Sequence, residues 1–377
     1  MRHLLVTNDF PPKIGGIQNL LHEFWRRLPP EDVTVLTTRY EGAERFDRQQ
    51  AFRIVRSRSP VLLPTPEVIR QIRQLSEETG AELVVLDPAL PLGLVGRHLG
   101  LRYAVLLHGA EVSVPGRLPV GRQLLASVLA PADLVVAFGG YSADEARHAL
   151  GRRMPRVVIV PPGVDLDRFR PLTATERTDV RERFGLPTEG RLIVSVSRLV
   201  PRKGMDVLIR AVGLLRPTMP DLHLAIGGQG RDGARLRRLI EREGIGGAVH
   251  LLGRVPEEDL GGLDASADVW AMLCRDRWLG LEQEGFGIVF LEAAAAGVPQ
   301  VAGRSGGAHE AVVNGETGLV VDHPSDAKAV AAALRSLLED PARRRSLGEA
   351  ARERAVADFD YAVLAERLRL ALEGVGA

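Results

Sequence analysis

The chain has 377 residues, more than one ordinary core accommodates, so two domains are expected. Lys and Arg total 49 against 48 Asp and Glu, and a net charge of +1 excludes binding to nucleic acid through bulk electrostatics, leaving only local patches. The single cysteine, Cys274, excludes an intramolecular disulfide and fits a reducing compartment.

Met1-Arg-His leads straight into an apolar run and a polar turn, without the long apolar core of a signal peptide. The longest apolar stretch, 124–138, is broken by Pro131 and Asp133 and is not expected to span a bilayer. The expected location is therefore the cytoplasm, with contact at a membrane surface still open.

Short β-branched or leucine-rich runs alternate with helical patterns along the chain. Strands are expected at 3–6, 33–37, 83–86, 104–107, 134–137 and 157–160, with amphipathic helices such as 18–28 and 66–79 between them. The alternation restarts at 192–197 and continues at 223–226, 249–252, 269–272, 300–302 and 318–321. Continuous apolar strands alternating with helices predict parallel sheets covered on both faces. Twelve strands are too many for one sheet, so the fold class is α/β with two doubly wound domains. The seam falls near "PPGVDLDRFRP", giving domains at 1–165 and 166–357. A terminal helix within 358–377 is placed to pack back across that seam.

Ligands of open α/β sheets bind outside the carboxyl ends of strands, and the unusual clusters of this chain fall there. "TNDFPPKIGGIQN" puts Gly15-Gly16 between the first strand and its helix, which suits a backbone cradle for a diphosphate. "LLHGAE" brings His108 out of a buried strand end. "SRLVPRKGMD" sets Arg198 and Lys203 in an R-x4-K spacing at a helix entrance, two cations suited to a diphosphate. "GGQGRDGARLR" follows another strand, and in "LGRV", around Arg254, backbone groups could read a base edge. "EGFGIVFLEAAAAGVP" brackets seven residues with Glu284 and Glu292, and Gly285 and Gly287 free the backbone ahead of a buried helix. Taken singly, each of these also reads as an ordinary turn, a solvated charge or a core helix.

Together, Gly15-Gly16, His108, Arg198 with Lys203, and Glu284-x7-Glu292 resemble the retaining glycosyltransferases of family four. The resemblance spans nearly the whole chain. It implies the GT-B fold: two doubly wound Rossmann-like domains facing a cleft, acceptor side first and nucleotide-sugar side second. The wording of "VTNDFPPKIGGIQ", "LPTPEVI", "SRLVPRKGMD", "EGFGIVFLEA" and "AGRSGGAHEAV" is similar to one branch, the actinobacterial GDP-mannose-dependent mannosyltransferases of phosphatidylinositol mannosides.

The family implies that Gly16 approaches the donor diphosphate, and that Arg198 and Lys203 stabilise its growing charge. Glu284, with the amides of Gly285, Phe286, Gly287 and Ile288, holds the donor sugar, and Glu292 holds the ribose. His108 lies near the reacting carbon, and Gln18 faces the acceptor. Two positions depart from the branch: Ala110 stands where a second histidine is expected, and Trp278 where small residues are. Glu282 competes with Glu284 as the first acid, but only Glu284 has the spacing.

The expected partners are thus a nucleotide-sugar donor, GDP-mannose, and a glycolipid acceptor at an anionic membrane surface. Another donor, a soluble acceptor, a sugar-nucleotide epimerase or a non-catalytic nucleotide-binding module are the alternatives. No cofactor and no tightly bound metal are expected, because there is no H-x-x-H or C-x-x-C pair and Asp165-Leu-Asp167 lies in the linker. For the membrane, Arg26, Arg27, Arg53, Arg56, Arg58, Arg70 and Arg73 form the basic candidates. Arg70 and Arg73, one turn apart beside Val68, Ile69 and Ile72, suggest a helix lying at an interface.

Overall fold

The computed structural model describes residues 1–278 and 280–375. The chain forms two compact units, one of Met1–Gly163 together with the segment from Tyr361 onward, the other of Val164–Asp360. The junction thus comes two residues before the expected seam, and the terminal helix Tyr361–Glu373 is part of the first unit.

The first unit is a parallel sheet of seven strands: β1 His3–Thr7, β2 Val33–Thr37, β3 Arg53–Arg56, β4 Leu83–Asp87, β5 Tyr103–Leu107, β6 Leu134–Ala137 and β7 Val157–Ile159. Their order is β3-β2-β1-β4-β5-β6-β7. Every residue of β1, β2, β4, β5 and β6 is buried, as continuous apolar runs require when helices cover both faces. Alternate side chains feed two cores. Leu4 and Val6 join Ile72, Val105 and Leu125 on one face, whereas Leu5 joins Phe24, Leu364 and Leu368 on the other. The terminal helix is thereby built into the second of these cores. At its start, Gly163 leaves room for the Tyr361 ring, which a Cβ there would meet at 2.6 Å.

Strand β3 was not among the expected strands. It is an edge strand of only four residues with an arginine at each end and no fully buried position, so it lacks the apolar run that marks its neighbours. Its arginines are structural. Arg56 bonds Asp47 at 2.6 Å and the Pro11 and Thr38 carbonyls, and Arg53 pairs with Glu78 at 2.8 Å. Arg26 and Arg27 share Glu23, and Arg73 bonds the carbonyls of His98 and Leu99.

The helix Pro66–Thr79 begins at Thr65, whose hydroxyl accepts from the Val68 amide, and stops at left-handed Gly80. Val68 and Ile72 lie in the core, so the apolar stripe expected at a membrane is turned inward. Of the seven basic candidates, Arg58 and Arg70 remain exposed without a side-chain partner among the described residues.

The second unit repeats the plan with six parallel strands: β8 Arg191–Val196, β9 Leu222–Gly227, β10 Val249–Gly253, β11 Val269–Met272, β12 Gln300–Gly303 and β13 Gly318–Val321. Their order is β10-β9-β8-β11-β12-β13. In each sheet the first strand has its successor on one side and the fourth strand on the other. The winding reverses there, and the two crossovers leave a crevice at the strands' carboxyl ends. In the first unit that point is flanked by β1 and β4, in the second by β8 and β11.

Candidate active site

In the second unit, β8 runs out into Ser197-Arg198-Leu199 and a single turn, Pro201–Lys203, before the helix Met205–Leu215. Gly204 closes the turn at φ 71°, and a Cβ there would lie 2.0 Å from the Leu273 carbonyl oxygen. Only glycine lets this turn sit directly on the exit of β11. Arg275 fastens the two exits, its amide donating to the Arg202 carbonyl at 2.9 Å and its guanidinium to Asp206 at 2.9 Å.

Lys203 is consequently buried against the β11 loop, where its Nζ donates to Glu284 Oε2 at 2.7 Å. Arg202 Nη1 donates to the same oxygen at 2.7 Å, and the Cys274 thiol donates to it at 3.3 Å. Burial alone would raise the Glu284 carboxyl, but the Lys203 and Arg202 cations outweigh it and hold it down at about 2. The same burial, with the adjacent carboxylate, pushes the Cys274 thiol up. One oxygen of Glu284 thus carries three donors, while Oε1 has no partner among the described residues and is available to a ligand hydroxyl.

The backbone at Glu284 is equally fixed. Its amide donates to Ser305 Oγ at 3.2 Å, and its carbonyl accepts from the Gly307 amide at 3.0 Å. Ser305 in turn donates to Asp276 at 2.7 Å. A Cβ on Gly306 would sit 2.0 Å from the Glu284 carbonyl oxygen, and one on Gly307 2.2 Å from that of Gly285. The run "GRSGGAHEAV" is therefore the brace of the glutamate loop. Gly287 starts the helix Ile288–Ala295 at φ 88°, and a side chain there would strike Phe290 at 2.6 Å. The Phe286 ring packs into the core against Phe359, so only the backbone of Gly285, Phe286, Gly287 and Ile288 is offered to a ligand.

Glu292, half-buried on that helix, has no hydrogen-bond partner among the described residues. Burial pushes its carboxyl up to about 7, against the pull of Arg168. Asp264 beneath it is wholly buried, accepts from Trp270 Nε1 at 2.9 Å and is raised by burial and by Glu292. Arg198 and Arg254 are exposed, and their side chains make no hydrogen bond or ion pair among the described residues, so neither is bonded into the Lys203–Glu284 cluster. Glu282 pairs with Arg277 at 2.9 Å and reaches Arg202 Nε only at 4.0 Å, so the competing acid has its shorter pair outside the cluster. Arg277 also stacks on the exposed Trp278 ring, at 4.8 Å.

In the first unit, Gly16 opens the helix Gly16–Trp25 with nothing within 4 Å of the position a Cβ would take, so its backbone is open to approach. Gln18 is buried and folds back to donate to Asp9 Oδ1 at 2.5 Å, beside Lys13 at 2.7 Å. It braces Asp9 instead of pointing outward. His108, just past the end of β5, donates from Nε2 to Asp87 Oδ1 at 2.7 Å and stacks on Phe138 at 4.9 Å. Ala110 starts the next helix, Ala110–Gly116, and Glu111 accepts from the amides of His108 and Gly109. Among the described residues, no group of three His, Cys, Asp or Glu side chains could hold a metal ion.

Residues 14–168 match the family described as Glycosyltransferase Family 4, and residues 176–354 match Glycosyl transferases group 1. The chain is 42% identical to a GDP-mannose-dependent alpha-(1-6)-phosphatidylinositol monomannoside mannosyltransferase of Mycolicibacterium smegmatis, covering 98% of both chains. It belongs to this glycosyltransferase family.

A second relative of the enzyme, from Corynebacterium glutamicum, is a GDP-mannose-dependent monoacylated alpha-(1-6)-phosphatidylinositol monomannoside mannosyltransferase, 37% identical over 97% of this chain and 96% of that one. Among solved structures, sucrose-phosphate synthase from Thermosynechococcus elongatus matches with a TM-score of 0.81 at 22% identity, covering 100% of this chain and 99% of that one. Anabaena HepE in complex with UDP matches at 0.84 and 20% identity, covering 99% and 100%. At such identities these show the fold, and the glycosyltransferase has the two doubly wound domains of the GT-B class.

Three features of the candidate clusters in the two units were missed in the sequence. Arg202 was passed over as part of the spacer between Arg198 and Lys203. Asp87, a lone carboxylate closing an apolar strand, carried a usable signal, because strand ends are where ligands sit. Ser305 and the glycines after it had been noted only for their wording.

Proposed function

We propose that the enzyme transfers mannose from GDP-mannose, with retention of configuration, to a mannosylated phosphatidylinositol. The observation that carries this reading is the end-to-end match to relatives with that activity. The geometry of the second unit supports it. In the reaction the sugar–phosphate bond breaks and its electron pair leaves with the diphosphate. Lys203, with the unpaired Arg198 and the amides at the start of the helix Ile288–Ala295, is suited to that charge. The free Oε1 of Glu284 accepts from a mannose hydroxyl, and the unpartnered Glu292 accepts from the ribose. Gly16 approaches the diphosphate through its backbone, Arg254 lies toward the base, and His108 lies by the sugar.

We further propose that no metal is needed, because side-chain cations supply the positive charge, and that the protein attaches reversibly to an anionic membrane face. No helix among the described residues is long and apolar enough to cross a membrane. Among the described residues Arg58 and Arg70 have no side-chain partner, and Val61 and Leu63 are exposed on the loop joining β3 to the helix of Arg70, a combination suited to a charged lipid surface.

A panel of nucleotide sugars tests the reading. Label is expected to pass to phosphatidylinositol mannoside from GDP-mannose and from no other donor. Transfer from another donor, transfer to a soluble sugar alone, or epimerisation without an acceptor would contradict it.

A further inference from the structure

Asp87 closes β4, and Thr7, its register partner, closes β1, so the two meet where the first sheet reverses its winding. Both are buried. The amide of Asp9 donates to Thr7 Oγ1 at 2.9 Å, which turns the hydroxyl hydrogen toward Asp87 Oδ2, 2.6 Å away. The other carboxylate oxygen takes His108 Nε2 at 2.7 Å. Phe138 covers one face of the ring, 4.9 Å away and inclined by 23°. The ring cannot turn over without leaving a buried carboxylate short of its donor, which is strongly unfavourable. Nε2 is therefore committed inward, and Nδ1 has no partner among the described residues.

The other titratable groups around the ring are acids. Glu111 accepts from the amides of His108 and Gly109, and Asp9 is held by Lys13 and Gln18. We propose that Asp87, backed by Thr7, is a positioning residue of the transfer reaction. It holds His108 as an imidazolium with Nε2 inward, so that Nδ1–H is presented to a hydroxyl oxygen of the donor sugar. This rests on the placing of His108 beside that sugar. The charge on the ring is balanced by Asp87, so the pair gives a charge-assisted hydrogen bond without opposing positive charge at the reacting carbon. Burial disfavours the charged ring, yet Asp87, with Glu111 and Asp9, outweighs it and raises His108 above its ordinary value.

Ring-nitrogen NMR of the full chain without substrate reads this directly, with His108 assigned by the signal lost in His108→Gln. The imidazolium pattern is expected to persist above about pH 6.5, where an ordinary histidine is half deprotonated. In Asp87→Asn the midpoint is expected to fall by about one unit or more. A wild-type His108 that deprotonates at or below the ordinary value would overturn the proposal, and that measurement needs no variant to fold. In turnover, Asp87→Asn is expected to lower kcat by about 10- to 100-fold with donor KM little changed, since the contact is made to the reacting sugar. The loss should deepen as pH rises, and adding Asp87→Asn to His108→Gln should cost little more than His108→Gln alone. An unmoved NMR midpoint in Asp87→Asn would overturn the positioning role alone. A moved midpoint with His108→Gln fully active would instead overturn the placing of His108 at the sugar, and the proposal with it.

Discussion

Lys203 Nζ lies 2.7 Å from Glu284 Oε2, across the point where the second sheet reverses its winding. The first sheet has the same arrangement, with Thr7 Oγ1 2.6 Å from Asp87 Oδ2. In both units a donor leaving the first strand meets a carboxylate leaving the fourth. The parallel follows from topology, since the strand ends flanking the reversal are adjacent in space although some 80 residues apart in the chain, with sequence separations of 81 and 80 for the two pairs. A buried carboxylate is tolerated there only with a donor beside it.

Glu284→Gln is expected to cut kcat by about 100-fold or more while GDP affinity changes by less than about threefold, because the partner proposed for Oε1 is the sugar and not the phosphates. Steady-state kinetics and GDP calorimetry check this, and near-normal turnover would contradict the assignment. Arg202→Ala, which removes one of the three donors on Oε2, should give a smaller loss of the same kind.

The depressed Glu284 carboxyl also sets a pH window for stability. A group near 2 in the folded chain and near 4.5 unfolded stabilises fully above about pH 4.5, and that contribution is lost as pH falls toward 2. The stability gap between wild type and Glu284→Gln, from urea unfolding, should therefore be largest above pH 5 and narrow as the solution is acidified. A gap independent of pH would mean that the carboxylate is not held by Lys203 and Arg202.

Glu292 has the opposite bias, its carboxyl standing at about 7 before any ligand binds. Ribose hydroxyls donate to the ionised form and favour it, so nucleotide binding near pH 6.5 should release protons. Calorimetry of GDP binding in buffers of different ionisation enthalpy measures the release directly. It should vanish in Glu292→Gln and fade above about pH 8, and proton uptake would contradict the ribose role.

Membrane attachment should now depend on Arg58 and Arg70, since Arg26, Arg27, Arg53 and Arg56 are paired with acids. Each well-placed cation near an anionic bilayer contributes about 1 kcal/mol. Binding to anionic vesicles should weaken steeply between low and physiological salt, and the double change Arg58→Glu and Arg70→Glu should abolish most of it. Equal partitioning to neutral and anionic vesicles at low salt would contradict the attachment.

Both doubly wound sheets were legible in the sequence because their strands are buried on both faces and so read as continuous apolar runs. Strand β3 was not, because an edge strand of two apolar residues between two arginines has no such run. At the site, Glu284, Lys203 and His108 stood out as polar groups closing apolar strands or bracketing a glycine-rich turn. Their partners did not, since Arg202, Asp87 and Ser305 gain their roles only when separated strand ends are brought together. The helix carrying Arg70 shows the converse: its periodicity was readable, but periodicity does not say whether the apolar stripe meets a lipid or the protein's own core.

The most direct test is a crystal structure of the enzyme with GDP-mannose. It should place a mannose hydroxyl within hydrogen-bond distance of Glu284 Oε1, the diphosphate against Lys203 and Arg198, and the ribose hydroxyls on Glu292. A nucleotide bound elsewhere, or a sugar without contact to Glu284, would contradict the account.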